Sequence, residues 1–73
     1  MMNHYVLILA SRHAITRGNT EAVAVAREIK KQWYKMNYDD RLQLVIEITG
    51  PVVRGEVADE EPWMNLLDWI KKQ

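Results

Sequence analysis

The chain has 73 residues with ten basic and ten acidic side chains, so its formal net charge at pH 7 is zero. A chain of that length forms one small domain, burying only about 60% of the surface its unfolded form exposes, and its core is thin. The composition is that of a globular protein, 48% hydrophobic and 27% charged, and the lack of cysteine excludes disulfides, thiolate metal sites and cysteine nucleophiles.

The first element is expected at Asn3 to Ala10. Tyr5-Val6-Leu7-Ile8-Leu9-Ala10 is the longest apolar run, and it is far too short to span a membrane. Continuous apolarity without alternation predicts a central strand buried on both faces. No basic segment followed by a long apolar one opens the chain, so a cytoplasmic location is expected. Ser11 to Thr20 then reads as a polar loop carrying Gly18.

A helix follows, capped by Asn19 or Thr20 and given a negative first turn by Glu21. Ala22, Val25, Ala26, Ile29, Trp33 and Met36 recur at steps of three and four and form its apolar stripe. Arg27, Lys31 and Lys35 lie one turn apart on another face, with Tyr34 beside them. Asn37 suits a left-handed helix stop, and Tyr38-Asp39-Asp40 reads as a turn.

Arg41 to Thr49 shows period two, with Leu42, Leu44, Ile46 and Ile48 on one face, which predicts a second strand with one wet side. Gly50-Pro51 breaks it. Val52 to Val57 is a possible short third strand. Asp59-Glu60-Glu61-Pro62 then announces a second helix, with acids and a proline suited to its first turn. Its stripe is Trp63, Leu66, Leu67 and Ile70, and Lys71 and Lys72 match its negative end. The order strand, helix, strand, possible strand, helix predicts an α/β two-layer sandwich, a single domain over 1–73 with helices packed on a two- or three-stranded sheet.

Strand, Gly-containing loop and helix N-terminus together are the layout of a phosphate cradle. Thr16-Arg17-Gly18-Asn19-Thr20-Glu21 resembles the phosphate loop of flavodoxins, which implies phosphate or flavin binding on a five-stranded parallel fold. Arg17 interrupts the motif, the loop is longer than a flavodoxin turn, and no Walker lysine follows the glycine. The plainer account makes Gly18 a turn and Asn19 or Thr20 a cap.

Catalytic and metal chemistry finds little support. His4 and His13 are the only histidines, and neither has a ligand partner at metal spacing. Ser11 and His13 lack an orienting acid. The expectation is a protein that is not an enzyme and carries no cofactor.

Charge is unevenly spread along the chain. Met1 to Tyr38 has six basic and two acidic residues, a balance of +4, and Asp39 to Gln73 has four and eight, a balance of −4. A basic helix face of Arg27, Lys31, Tyr34 and Lys35 is one way to track nucleic acid. A domain of zero net charge argues against direct nucleic-acid contact. Three tryptophans in so short a chain point instead to protein recognition, with Trp69, outside its helix's stripe, either an exposed anchor or a ring that wraps over the sheet edge and finishes the core.

In size, absence of cysteine and absence of catalytic motifs, the whole chain resembles the small regulators that lytic bacteriophages make against host RNA polymerase. The resemblance implies binding to a polymerase subunit, inhibition of transcription initiation and, in some members, antitermination. The partner surface is expected at Asp59, Glu60, Glu61, Asp68 and Trp69, with the Arg12, His13 and Arg17 loop as the second candidate.

Overall fold

In the computed structural model, residues 4–73 are described, and they form four α-helices. They are α1 (His4–Ala14), α2 (Asn19–Gln32), α3 (Tyr38–Arg54) and α4 (Glu60–Lys71), with a 3₁₀ turn at Trp33–Lys35 closing α2. There is no strand among the described residues, so the α/β sandwich expected from the sequence does not form.

The expected first strand is α1, apart from Asn3, which lies outside the described residues. A short apolar run suits a buried helix as well as a buried strand. The stripe that decides runs beyond it: Leu7, Ile8, Ser11, Ala14 and Ile15 recur at helical spacing, and all are buried. Ser11 fits among them because its hydroxyl donates to the Leu7 carbonyl at 3.0 Å, which satisfies it within the helix. The polar loop thus shrinks to the turn between Ala14 and Asn19.

The expected second strand is the middle of α3. Leu44 and Ile48 are two apart in a period-two pattern but also four apart on a helix, and both are fully buried. Asn37 is not a helix stop, since no residue but glycine has positive φ among the described residues. It is the N-cap of α3, its side chain accepting from the Asp40 amide at 2.8 Å. The expected turn at 38–40 is α3's first turn, where Asp39 and Asp40 face the positive end of the dipole.

Gly50-Pro51 does not break this helix. Pro51 lies within its last turns, where it deprives the Glu47 carbonyl of a donor, and α3 runs on to Arg54. The stop is Gly55, at φ 70°. Its amide donates to Val52 at 3.2 Å and the Glu56 amide to Pro51 at 2.9 Å, the paired bonds of a Schellman motif. The possible third strand, 52–57, is therefore the end of α3 and the loop after it.

The two expected helices form, with one change of boundary each. Gly18 rather than Asn19 or Thr20 occupies the N-cap position of α2 and makes no side-chain cap; Asn19 instead donates to Asp59 at 2.8 Å. Asp59 caps α4, accepting from the Glu61 amide.

Long-range pairs fix the arrangement. His4 meets Asp40 and Arg12 meets Glu47, so α1 and α3 run in the same direction. Asn19 meets Asp59 and Lys30 meets Trp69, so α2 and α4 do likewise. The fold is two helical hairpins, α1/α2 and α3/α4, laid against each other with α1 on α3 and α2 on α4. The hairpin tips are tied by the Ala58 amide donating to the Ile15 carbonyl at 2.9 Å. Ile29, Leu44, Ile48, Trp63 and Leu66 are fully enclosed at the centre.

Candidate protein-binding surface

The side of α3 opposite Leu44 and Ile48 carries Tyr38, Leu42, Ile46 and Val53. They are 74%, 45%, 58% and 79% exposed. Single exposed apolar residues are ordinary on protein surfaces. Four on one helix face are not, because contiguous apolar surface mostly marks an interaction site. Thr49 completes the ridge by helical spacing. The ridge itself carries no charge, and the charged residues of α3 nearest to it, Asp39, Asp40 and Arg41, line the grooves at its edges.

A groove flanks the ridge on each side. Toward α1 it measures about 370 Å³ and is lined by Tyr5, Ile8, Arg12, Asp39, Asp40 and Gln43. Its neighbour Glu47 accepts two hydrogen bonds from Arg12, from Nη2 at 2.7 Å and Nε at 3.2 Å. That forked bond holds the Glu47 carboxyl below its ordinary range and the Arg12 guanidinium above its own. Toward α4 the groove measures about 270 Å³, lined by Trp33, Tyr38, Arg41, Leu42, Val45, Ile70 and Gln73.

Beside the second groove lies a cluster of aromatic rings. Trp33 and Trp69 meet edge to face at 6.2 Å, and Tyr34 meets Trp69 at 6.4 Å. The Arg41 guanidinium carbon lies 5.2 Å from the Trp33 ring centre and 6.0 Å from that of Tyr34, and the Lys30 ammonium lies 5.9 Å from that of Trp69. Tyr34 also bonds the Gln73 side chain.

The residues picked from the sequence are scattered by the fold. Trp69 is half-buried in the aromatic cluster and packs on the core. Asp59 is occupied as a cap and as the acceptor for Asn19. Glu60 and Glu61 are exposed on the first turn of α4, and Asp68 is exposed two turns further on. Arg12 and His13 are not on a loop; they end α1, with Arg12 held by Glu47, while Arg17 is exposed in the turn. Arg27, Lys31, Tyr34 and Lys35 are exposed on α2 and its closing turn, and no ion pair joins the three cations to an acid among the described residues.

The charge asymmetry also changes form. The +4 and −4 halves of the sequence do not become two faces, because α2 and α4 run side by side in one direction. Their C-terminal ends bring Lys30, Lys31, Lys35, Lys71 and Lys72 to one end of the molecule, beside Arg41. Their N-terminal ends gather Glu21, Asp59, Glu60 and Glu61 at the other, with Glu56 from the neighbouring loop.

Sequence reading missed the α3 ridge because period two assigned Leu42 and Ile46 to the core with Leu44 and Ile48. The signal that finds it is Asn37 followed by Asp39 and Asp40, a helix start in front of the apolar segment.

For chemistry the surface offers little. There is no group of three His, Asp or Glu side chains suited to a metal among the described residues. The phosphate cradle has lost its strand, and with it the sheet that a flavodoxin-like reading needs. No helix is long and apolar enough to cross a membrane among the described residues. Comparison with protein-family models, with curated proteins and with solved structures finds no match to this chain.

Proposed function

We propose that this domain is a protein-binding regulator without catalysis of its own, and that it docks through the outer face of α3. The observation that carries the reading is the uncharged ridge of Tyr38, Leu42, Ile46 and Val53, left facing water by a chain with little apolar material to spare. Burying apolar surface contributes roughly 25 cal/mol per Å², so such a ridge is a source of binding energy that the monomer leaves unused. The two grooves that flank the ridge, of about 270 and 370 Å³, are lined by no serine, threonine or histidine. This supports a binding role over an enzymatic one.

The resemblance to phage regulators nominates a bacterial RNA polymerase subunit as the partner, with inhibition of initiation as the effect. The test is promoter-dependent transcription by purified bacterial RNA polymerase, with the domain titrated in. Inhibition is expected from the wild type and not from Ile46→Asp, whose melting temperature stays close to that of the wild type. Full transcription at every concentration would remove polymerase as the partner. Equal inhibition by Ile46→Asp would remove the α3 face as the surface.

A further inference from the structure

The α3/α4 groove holds a cation that the chain itself does not neutralise. Arg41 is half-buried, and its Nε donates to the Trp33 carbonyl at 2.9 Å. That bond accounts for one edge of the guanidinium, which shares the Trp33 carbonyl with the Met36 amide at the negative end of α2. The Nη groups are not accounted for: no carboxylate pairs with Arg41 among the described residues. Asp40, the adjacent acid, is turned to His4 at 3.3 Å. The guanidinium carbon lies 5.2 Å from the Trp33 ring centre and 6.0 Å from that of Tyr34, so the head group is held beside both rings, and an arginine fork matches a carboxylate in two parallel hydrogen bonds.

Apart from Gln73, the walls around that fork are aliphatic and aromatic: Leu42, Val45, Ile70, Tyr38 and Trp33. The volume of about 270 Å³ falls below the ~300–1,000 Å³ of ordinary small-molecule sites, so the groove suits side chains better than a cofactor. The five lysines at the ends of α2 and α4 lie at this end of the molecule and outnumber Asp39 and Asp40, the acids of α3's first turn there. Positive potential at an interface selects and steers an acidic partner. A nucleic-acid backbone is also acidic, but it has no aliphatic group to place against Leu42, Val45 and Ile70.

We infer that the Arg41 groove is a recognition site for a partner carboxylate flanked by aliphatic side chains, an acidic-apolar peptide segment that continues onto the α3 ridge. This rests on the protein-binding reading and adds the chemistry of the segment bound.

The probe is a capped peptide, acetyl-Leu-Glu-Leu-Leu-amide, titrated into the full chain and followed by NMR. Its control is the same peptide with Gln in place of Glu. Saturable shifts are expected at the Arg41 side-chain Nε–H, the Trp33 indole N–H and the amides of Val45 and Ile70. The Gln peptide is expected to bind about tenfold more weakly, which is about 1.4 kcal/mol, and Arg41→Gln to abolish the difference between the two peptides. Because both peptides meet the wild-type protein, the comparison stands even if Arg41→Gln unfolds. Equal affinity for the two peptides, or no saturation, overturns the inference. Shifts confined to Leu42, Ile46 and Val53 overturn the Arg41 site while leaving the α3 docking face in place. Salt-sensitive binding of an oligothymidylate at Arg41, with no peptide binding there, overturns it in favour of a phosphate backbone.

Discussion

At the scale of single residues, three positions carry measurable consequences. Glu47 is a carboxylate whose folded pKa is lowered, chiefly by its hydrogen bond from Arg12. A lowered folded value means the native state binds a proton less readily than the unfolded chain does. The pair's stabilisation is thus fully present above the unfolded glutamate value, about 4.3, and is lost as pH falls through the lower folded value. Thermal melts should show Glu47→Gln less stable than the wild type at pH 7, with the gap closing below about pH 4. A gap that widens in acid contradicts the pairing. Gly55 holds φ 70° at the end of α3, where a side chain costs about 1–2 kcal/mol. Gly55→Ala should lower the melting temperature by about 4–8 °C for each kcal/mol in a domain of this size, although no atom lies near enough to clash with the new methyl. Asn37→Ala removes the α3 cap and should cost about 1 kcal/mol, read by denaturant unfolding.

At the scale of elements, α3 separates a helix from a strand by mutation. Were 41–49 a strand, Leu42, Leu44, Ile46 and Ile48 would share one buried face and tolerate truncation alike. In the helix, Leu44 and Ile48 are enclosed while Leu42 and Ile46 face water. Leu44→Ala and Ile48→Ala should each cost about 2–5 kcal/mol, and Leu42→Ala and Ile46→Ala about 0.5 kcal/mol or less. Four similar losses in urea unfolding would contradict the assignment. The same residues show why the sequence was readable only in part. The helices α2 and α4 were legible because one stripe, one acidic first turn and one basic last turn agreed in each. In α1, six consecutive apolar residues left periodicity silent, and the evidence for a helix lay beyond them in Ser11, Ala14 and Ile15. In α3, apolar residues on both the core and the outer face imitated alternation, and Gly50-Pro51 imitated a break that the helix absorbs. The candidate site was hidden for the same reason, since an apolar outer face is what a search for a single amphipathic stripe discards. Trp69 was legible as lying off its helix's stripe, but only the approach of α2 shows what its ring packs against.

At the scale of the whole molecule, two layers of helix laid against each other give a body only 17 Å in its shortest dimension. The interior is taken up by Ile29, Leu44, Ile48, Trp63 and Leu66, and the charged side chains of the described residues are left at the surface. That surface is organised by chain direction: parallel α2 and α4 set their acidic first turns at one end, beside Arg17 and Arg54, and their lysines at the other, beside Asp39 and Asp40, and the uncharged face of α3 runs between the two ends. A polar molecule of zero net charge can orient a charged partner without strong nonspecific adhesion. The most direct measurement is site-specific photocrosslinking, with a benzophenone amino acid placed at Ile46, at Arg27 and at Asp68 in turn, against purified bacterial RNA polymerase. A crosslink to one polymerase subunit is expected from position 46, at a yield well above that from 27 or 68. A bound polymerase crosslinked only from 27 or 68, or a polymerase that does not bind at all, would contradict it.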